Sequence, residues 1–285
     1  MNISVELVEN LISEQFPQWK DLKIEPVKNS GHDNRTFHLG EKMTVRLPSG
    51  KAYEPQVEKE AKWLPILAKN LALPITEPVA KGHPTAEYPF VWSINKWLSG
   101  DIVNKNNINL SLFAEELASF LLEFESINAS NGPIAGPHNF YRGGDLSVYD
   151  SETKEALDKL EGKINIEKCQ LIWEQALLSK WDSEPIWVHG DIAPGNLLVQ
   201  NGHLAGVIDF GILGTGDPSC DLAMAWTFFD IDSREVFIKS MNLDKGTWNR
   251  AKGWALWKAL ITYNSLDKKI NENARYTVDA ILNDE

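Results

Sequence analysis

Three side chains in the second half of the chain are of the types that handle phosphate and a divalent cation. Asp191 and Asn196 stand in HGDIAPGNLLV, and Asp209 stands in GVIDFG. The two segments follow short apolar runs, IWV before His189 and AGVI before Asp209, so strand ends would carry the polar groups to one edge of a cleft. Carboxylate and amide oxygens are hard ligands suited to Mg²⁺, which takes one or two carboxylates and fills its shell with phosphate oxygens and water. Asn196 and Asp209 suit that role. Asp191 is then left to accept a hydrogen bond from an attacking hydroxyl. A carboxylate with an ordinary pKa of about 3.9 is a weak base, which matters little where the transition state is loose and the nucleophile mainly needs orienting. His189 reads as a residue that holds the loop by hydrogen bonds. Turn formation alone explains Asp, Asn, Gly and Pro one at a time, but it does not call for an Asp between AGVI and Phe-Gly.

The elements that position these groups follow from the changing apolar period. An amphipathic helix opens the chain, with Val8, Leu11 and Ile12 on one face. Strand-like pieces follow at 22–27, 36–39 and 43–47. VEKEAKWLPIL places Val57, Ala61, Leu64 and Leu67 on a helical face, and VWSIN reads as another strand. After KWLSGD the pattern turns mostly helical. SLFAEELASFLLEF is expected to start at a Ser cap, and further helices are expected near 151–161, 165–182, 218–229, 233–241, 247–263 and 272–282. Within this half, IWV, NLLVQ and LAGVID read as strands, with NGH at 201–203 as a hairpin turn. The expected fold class is α+β, with a small sheet-rich lobe over 1–97 and a larger helical lobe over 98–285. A cleft between such lobes is a common ligand site.

Composition narrows the function. The 285 residues carry 28 basic and 40 acidic side chains, a net charge of −12, which disfavours nucleic acid and anionic membranes as partners. Cys169 and Cys220 lie far apart, without the spacing of a disulfide framework or a zinc site. The first residues carry acids where a signal peptide would carry bases, and no run is long enough to span a bilayer, so a cytoplasmic location is expected.

HGDIAPGNLLV, followed by VIDFG and GDPSCDLA, closely resembles the catalytic and metal-binding segments of the aminoglycoside phosphotransferase family, small-molecule kinases with a protein-kinase-like bilobal fold. The resemblance implies that Asp191 is the catalytic aspartate, that His189 opens the catalytic loop, and that Asn196 and Asp209 hold Mg²⁺. Asp217 and Asp221 would be structural, Asp221 as an acid at a helix start. In the small lobe, NSGHDNRTFHL is similar to the family's phosphate-covering turn, which sets Ser30, Gly31 and Asn34 near the nucleotide. MTVRL matches the strand that reads V-A-I-K in protein kinases, with Arg46 in place of the lysine. That departure keeps a phosphate-binding cation but changes its shape, and it keeps open a nucleotide-binding pseudoenzyme as the second reading. Glu60 is the expected partner of Arg46, and the backbone of Lys96 and Leu98 would read the adenine edge.

The implied activity is transfer of the γ-phosphoryl group of ATP, with GTP as the alternative donor, to a hydroxyl of a small molecule, cationic acceptors being among the candidates. An aminoglycoside leads, with a macrolide or a metabolite alcohol as rivals. Asp230 and Asp232, after WTFF, are candidates for pairing with acceptor ammonium groups, although helix capping explains them as well. YRGGDLSVYD at 141–150 reads as a surface loop, with acceptor contact as the second reading. GILGTG lacks the Lys and Ser/Thr of a Walker loop, and no G-x-S-x-G, H-E-x-x-H or G-x-G-x-x-G occurs. Oligomeric state is left open.

Overall fold

The computed structural model describes residues 3–28 and 33–284. The chain divides into two compact units, one of Met1–Gly100 with Ala205–Gly211 and one of Asp101–Leu204 with Ile212–Glu285.

The first unit opens with α1 (Val5–Gln15), capped by Ser4, whose hydroxyl accepts from Leu7 N at 3.2 Å. Strands β1 (Ile24–Pro26), β2 (Asn34–Leu39), β3 (Met43–Pro48), β4 (Pro78–Gly82) and β5 (Trp92–Lys96) form one antiparallel sheet in the order β1-β2-β3-β5-β4. Helix α2 (Glu54–Leu67) lies between β3 and β4 in sequence. Side chains alternate across a strand, and the two faces of this sheet differ in kind. Phe37, Leu39, Val45, Leu47, Trp92 and Ile94 join Val8, Leu11 and Ile12 of α1 in one core. The intervening positions are polar, and the register sets Arg46 opposite Ser93 and Thr44 opposite Asn95. The apolar face drives the fold, and the polar face is left for chemistry. On α2, Val57, Leu64 and Leu67 are buried while Ala61 is half-buried.

Residues 205–211 belong to this unit through backbone bonds. Val207 N donates to Pro74 O at 3.1 Å and Thr76 N donates to Val207 O at 3.3 Å, a parallel bridge between Ile75 and Val207.

The second unit contains β6 (Asp101–Ile102), α3 (Leu110–Ser126), α4 (Asp150–Lys159), α5 (Ile166–Leu178), β7 (Ile186–Val188) and β8 (Leu197–Gln200). Strand β9 (His203–Val207) starts here, and β10 (Gly214–Gly216), α6 (Met224–Thr227), α7 (Ile231–Met241), α8 (Lys245–Thr262) and α9 (Lys268–Leu282) follow. Strand β6 pairs with β8 and β7 with β10, both antiparallel. The turn into β9 holds Asn201 and Gly202 at φ of 51° and 84°, the left-handed pair that a tight hairpin demands. Helix α3 packs on α7, and α8 packs on both α5 and α9, burying Phe113, Leu117, Leu121 and Phe124 with Trp254, Leu256 and Leu260.

Several local expectations change. Helix α3 starts before Ser111, because Asn109 caps it by accepting from Leu112 N at 3.0 Å. The helix expected over 218–229 becomes a 3-10 stretch over Pro218–Ala223 followed by the single turn α6. Asp217 caps the 3-10 stretch, with Pro218 next in the chain. Strands β4, β6 and β10 carry no alternating apolar signal and were not expected.

Candidate active site

In the second unit, β7 delivers the chain to His189, Gly190 and Asp191. Gly190 has φ of 86°, and a Cβ there would stand 2.9 Å from the Ile212 carbonyl oxygen, so both backbone and space select glycine. The turn is fixed from below by Asp221, which is 1% exposed. Its carboxylate accepts from His189 N at 2.6 Å and from Gly190 N at 2.7 Å. Burial raises its pKa to about 6, opposed by His189 and by the two N–H donors. His189 is fully buried, and its Nδ1 accepts from Asp191 N at 3.1 Å. The ring therefore positions the backbone of Asp191.

Asp191 is exposed. Asn196 closes a 3-10 turn at Pro194–Asn196, and its Nδ2 donates to Asp191 Oδ2 and to Asp191 O, both at 2.9 Å. The two residues expected to act together are thus in contact within one loop. With Nδ2 so committed, the group that Asn196 can offer a cation is its Oδ1, a hard oxygen.

Asp217 lies in a buried pair with Arg250, which donates from Nε at 2.6 Å and from Nη2 at 3.3 Å. Asp217 also accepts from Ser219 N and Oγ. Glu125, on α3, is pushed up to about 8, by burial first and then by Asp221 and Asp217. Asp230 is committed as the cap of α7, accepting from Ser233 N at 3.0 Å, whereas Asp232 is exposed on its first turn. Phe228 and Phe229 are core residues.

In the first unit, Arg46 donates from Nη1 to both Glu60 oxygens at 3.1 and 3.3 Å, and from Nη2 to Asp209 Oδ1 at 2.8 Å. Burial alone would lower the proton affinity of Arg46, but Glu60 and Asp209 more than reverse it. Glu60 is 4% exposed. Its pKa is raised, by burial first and with Arg46 opposing. Asp209 holds a left-handed φ of 66°, unusual for a residue with a side chain. Asn34 is buried at the start of β2, while Ser30 and Gly31 lie outside the described residues. The Lys96 N–H is taken by the Glu77 carbonyl at 2.8 Å and its ammonium pairs with the Glu77 carboxylate. Leu98 is half-buried, and Trp97 packs edge-on to His38 at 4.4 Å between ring centres.

Sequence reasoning missed Arg250 as the partner of Asp217, the bond from Arg46 to Asp209, and Arg142. These side chains meet their neighbours only in three dimensions, and no local spacing signals them.

A polar-faced antiparallel sheet with an Arg–Glu pair, and a helical unit bearing a braced Asp–Asn loop, are the parts of a protein-kinase-like phosphotransferase. A model of the phosphotransferase enzyme family matches residues 23–255, and the chain belongs to that family. Among solved structures, the GDP complex of wild-type aminoglycoside 2'-phosphotransferase-IIIa aligns over 99% of each chain with a TM-score of 0.74 at 16% identity. The streptomycin–ATP–APH(2'')-IIa ternary complex aligns over 95% of this chain and 94% of that one, with a TM-score of 0.63 at 20% identity. The apoenzyme of macrolide 2'-phosphotransferase MphH from Brachybacterium faecium aligns over 99% and 98%, with a TM-score of 0.64 at 15% identity. At these identities the likeness speaks for the fold. No curated protein sequence matches the chain.

Proposed function

We propose that this protein transfers the γ-phosphoryl group of ATP, with GTP as the alternative donor, to a hydroxyl of a small molecule. The observation that carries the reading is the Asp191 loop: an exposed carboxylate, tied to Asn196 at 2.9 Å and held from below by buried Asp221 and His189. In this reading Asp191 accepts a hydrogen bond from the acceptor hydroxyl and orients it, which is the main task of a base where the transition state is loose.

Asn196 Oδ1 and the Asp209 carboxylate are the hard donors assigned to Mg²⁺, which when bound would neutralise charge on the phosphates. Arg46, held by Glu60, is the cation assigned to the nucleotide phosphates. Asn34 and the backbone of Lys96 and Leu98 are assigned to the nucleotide as well, Lys96 through its carbonyl because its N–H is already taken. Aminoglycosides lead the acceptor classes because relatives in the fold are solved with kanamycin, streptomycin and gentamicin. Macrolides and metabolite alcohols follow. No helix among the described residues is long and apolar enough to cross a membrane, and a cytoplasmic location without nucleic-acid partners belongs to the same proposal.

One observation favours a second reading, a nucleotide-binding pseudoenzyme: Arg46 already occupies an oxygen of Asp209. A transfer assay with Mg²⁺, ATP or GTP and a panel of aminoglycosides, macrolides and amino alcohols decides between them. The enzyme reading expects a phosphorylated product by mass spectrometry, lost in Asp191→Asn while nucleotide affinity stays within about twofold. Nucleotide binding without any product supports the pseudoenzyme.

A further inference from the structure

Two cations near Asp191 have no acid partner among the described residues. Arg142 emerges from a clamped turn in which Phe140 and Tyr141 both hold left-handed φ, 52° and 54°. The side chain of fully buried Asn139 donates to the Arg142 carbonyl at 2.8 Å, and the Tyr149 hydroxyl donates to the Phe140 carbonyl at 2.8 Å. Two successive left-handed residues with side chains are uncommon and persist only where the surroundings over-determine them. That clamp fixes where Arg142 points. Its guanidinium stands 4.8 Å from the ring centre of Trp254 and 5.0 Å from that of Trp257. Its stem lies against the catalytic loop, since a Cβ on Gly190 would come within 3.1 Å of Arg142 Cβ.

Lys258 extends the same arrangement. It shares a face of α8 with Trp254, four residues earlier, and its Nζ is 5.8 Å from the Trp257 ring centre. Asp191 and Glu152 favour its charge, whereas burial and Arg142 oppose it. Among the described residues neither cation forms an ion pair, and buried Arg142 Nε has no hydrogen-bond partner. Arg142 feels the field of Asp221, yet makes no ion-pair contact with it. Glu152, the α4 acid whose field Lys258 feels, already accepts from Trp257 Nε1 at 2.7 Å.

Other cations of this unit are paired with acids. Arg250 meets Asp217 at 2.6 Å, Arg234 meets Asp284 at 2.9 Å, and Lys252 meets Asp284 at 2.6 Å. A chain with 40 acids for 28 bases has carboxylates to spare. Arg142 is half-buried and its Nε is withdrawn from water without a partner, a costly state that an anion would relieve, and exposed Lys258 adds a second unpaired charge on the same side.

We propose that Arg142 and Lys258 form an oxyanion site beside Asp191, which receives a phosphoryl or carboxylate group presented to that aspartate. The planar guanidinium, backed by two indole faces, is built for bidentate contact with such a group, and Lys258 adds a compact second charge. The proposal rests on reading Asp191 as the residue that faces the acceptor. The oxyanion has two sources, the phosphoryl group in transfer or an anionic group on the acceptor itself. In either case a polycationic acceptor must turn its ammonium groups away from this side.

The test uses the full chain with Mg²⁺ and nucleoside diphosphate, and inorganic phosphate as the probe, read by ³¹P line broadening. Wild type is expected to bind phosphate, Lys258→Gln to bind it about tenfold or more weakly, and Arg142→Lys to recover more than Arg142→Gln. Lys258 has an exposed side chain, so its variant stays informative if an Arg142 variant unfolds in a thermal scan. Absent binding, or equal binding in wild type and Lys258→Gln, overturns the site. Slowed nucleotide hydrolysis by water in Lys258→Gln identifies the phosphoryl group as the source. Unchanged hydrolysis with a lost preference for a hydroxy acid over its amide identifies the acceptor, and no change in either overturns the proposal. If phosphate binding depends on Lys258 but wild type turns over no nucleotide, the kinase reading fails and the oxyanion site stands.

Discussion

Arg46 donates to Asp209 at 2.8 Å across 163 positions of sequence. The same guanidinium holds Glu60, so one side chain ties the strand, the helix and the segment 205–211 of the first unit together. Arg46→Met would leave Glu60 buried without its cation. Removing one partner of a buried pair costs about 3 kcal/mol or more, and urea unfolding should show a loss of that order. Arg46→Lys should lose less stability, because an ammonium still neutralises the carboxylates, but it should raise the KM for nucleotide because the two-pronged geometry is gone. Equal stability of the methionine variant and wild type would contradict the structural role.

The Asp221 carboxylate gives two pH responses of opposite sign. Its pKa in the folded chain is raised to about 6 by burial, above the ordinary aspartate value. The folded state therefore holds the proton more tightly than the unfolded one, so this group's contribution to stability is present at low pH and is lost as pH rises towards about 6. Activity should run the other way, because the ionised carboxylate is what accepts from His189 N and Gly190 N. A kcat profile that falls below pH 6 should flatten in Asp221→Asn, at a lower plateau and with about 2 kcal/mol less stability from the mismatched second N–H. A profile unaltered by the substitution would remove Asp221 from the account.

Why the Asp191 loop was legible and its surroundings were not is a matter of range. His189, Gly190, Asp191 and Asn196 lie within eight positions, and the apolar runs around them announce rigid supports. The helices α1 and α2 and the strands β2 and β3 announce themselves by period. Strand β10 is GTG and β4 is PVAKG, stretches whose strand character comes from the partner strand. The Arg46–Asp209 bond, the Asp217–Arg250 pair and the setting of Arg142 on Trp254 and Trp257 join residues far apart in the chain. Spacing carries no trace of them. Asp230 shows the converse, since capping by an acid at a helix start is legible in sequence and the bond from Ser233 N is present.

Glu125 should make the protein less stable as the solution becomes basic. Burial first, then Asp221 and Asp217, raise it from near 4.5 to about 8, and its Oε1 has no hydrogen-bond partner. Across that window the unfolded chain has released the proton that the folded chain still holds, so stability drops as pH rises. Glu125→Gln removes the charge at nearly constant shape. Thermal unfolding should show the variant stabilised at pH 8, by on the order of a few kcal/mol, and indistinguishable from wild type near pH 4. A variant less stable at pH 8 would mean that the ionised form is the one the fold requires.

Two substitutions of Asn196 test the proposed cation binding apart from the proposed orientation of the nucleophile. Its Nδ2 is spent on Asp191, so Asn196→Ala removes both that brace and the oxygen assigned to Mg²⁺. Asn196→Asp keeps an oxygen for the cation but sets a second carboxylate against Asp191 Oδ2, where the amide donated. With loss of one hard ligand, the alanine variant should need about tenfold more Mg²⁺ for half-maximal turnover. The aspartate variant should respond to Mg²⁺ as wild type does while losing kcat, because repulsion between the two carboxylates displaces Asp191. Titration of turnover with Mg²⁺, after removal of residual metal with a chelator, distinguishes the two. Identical Mg²⁺ curves for alanine and wild type would limit Asn196 to the hydrogen bonds seen here and leave the cation to other donors.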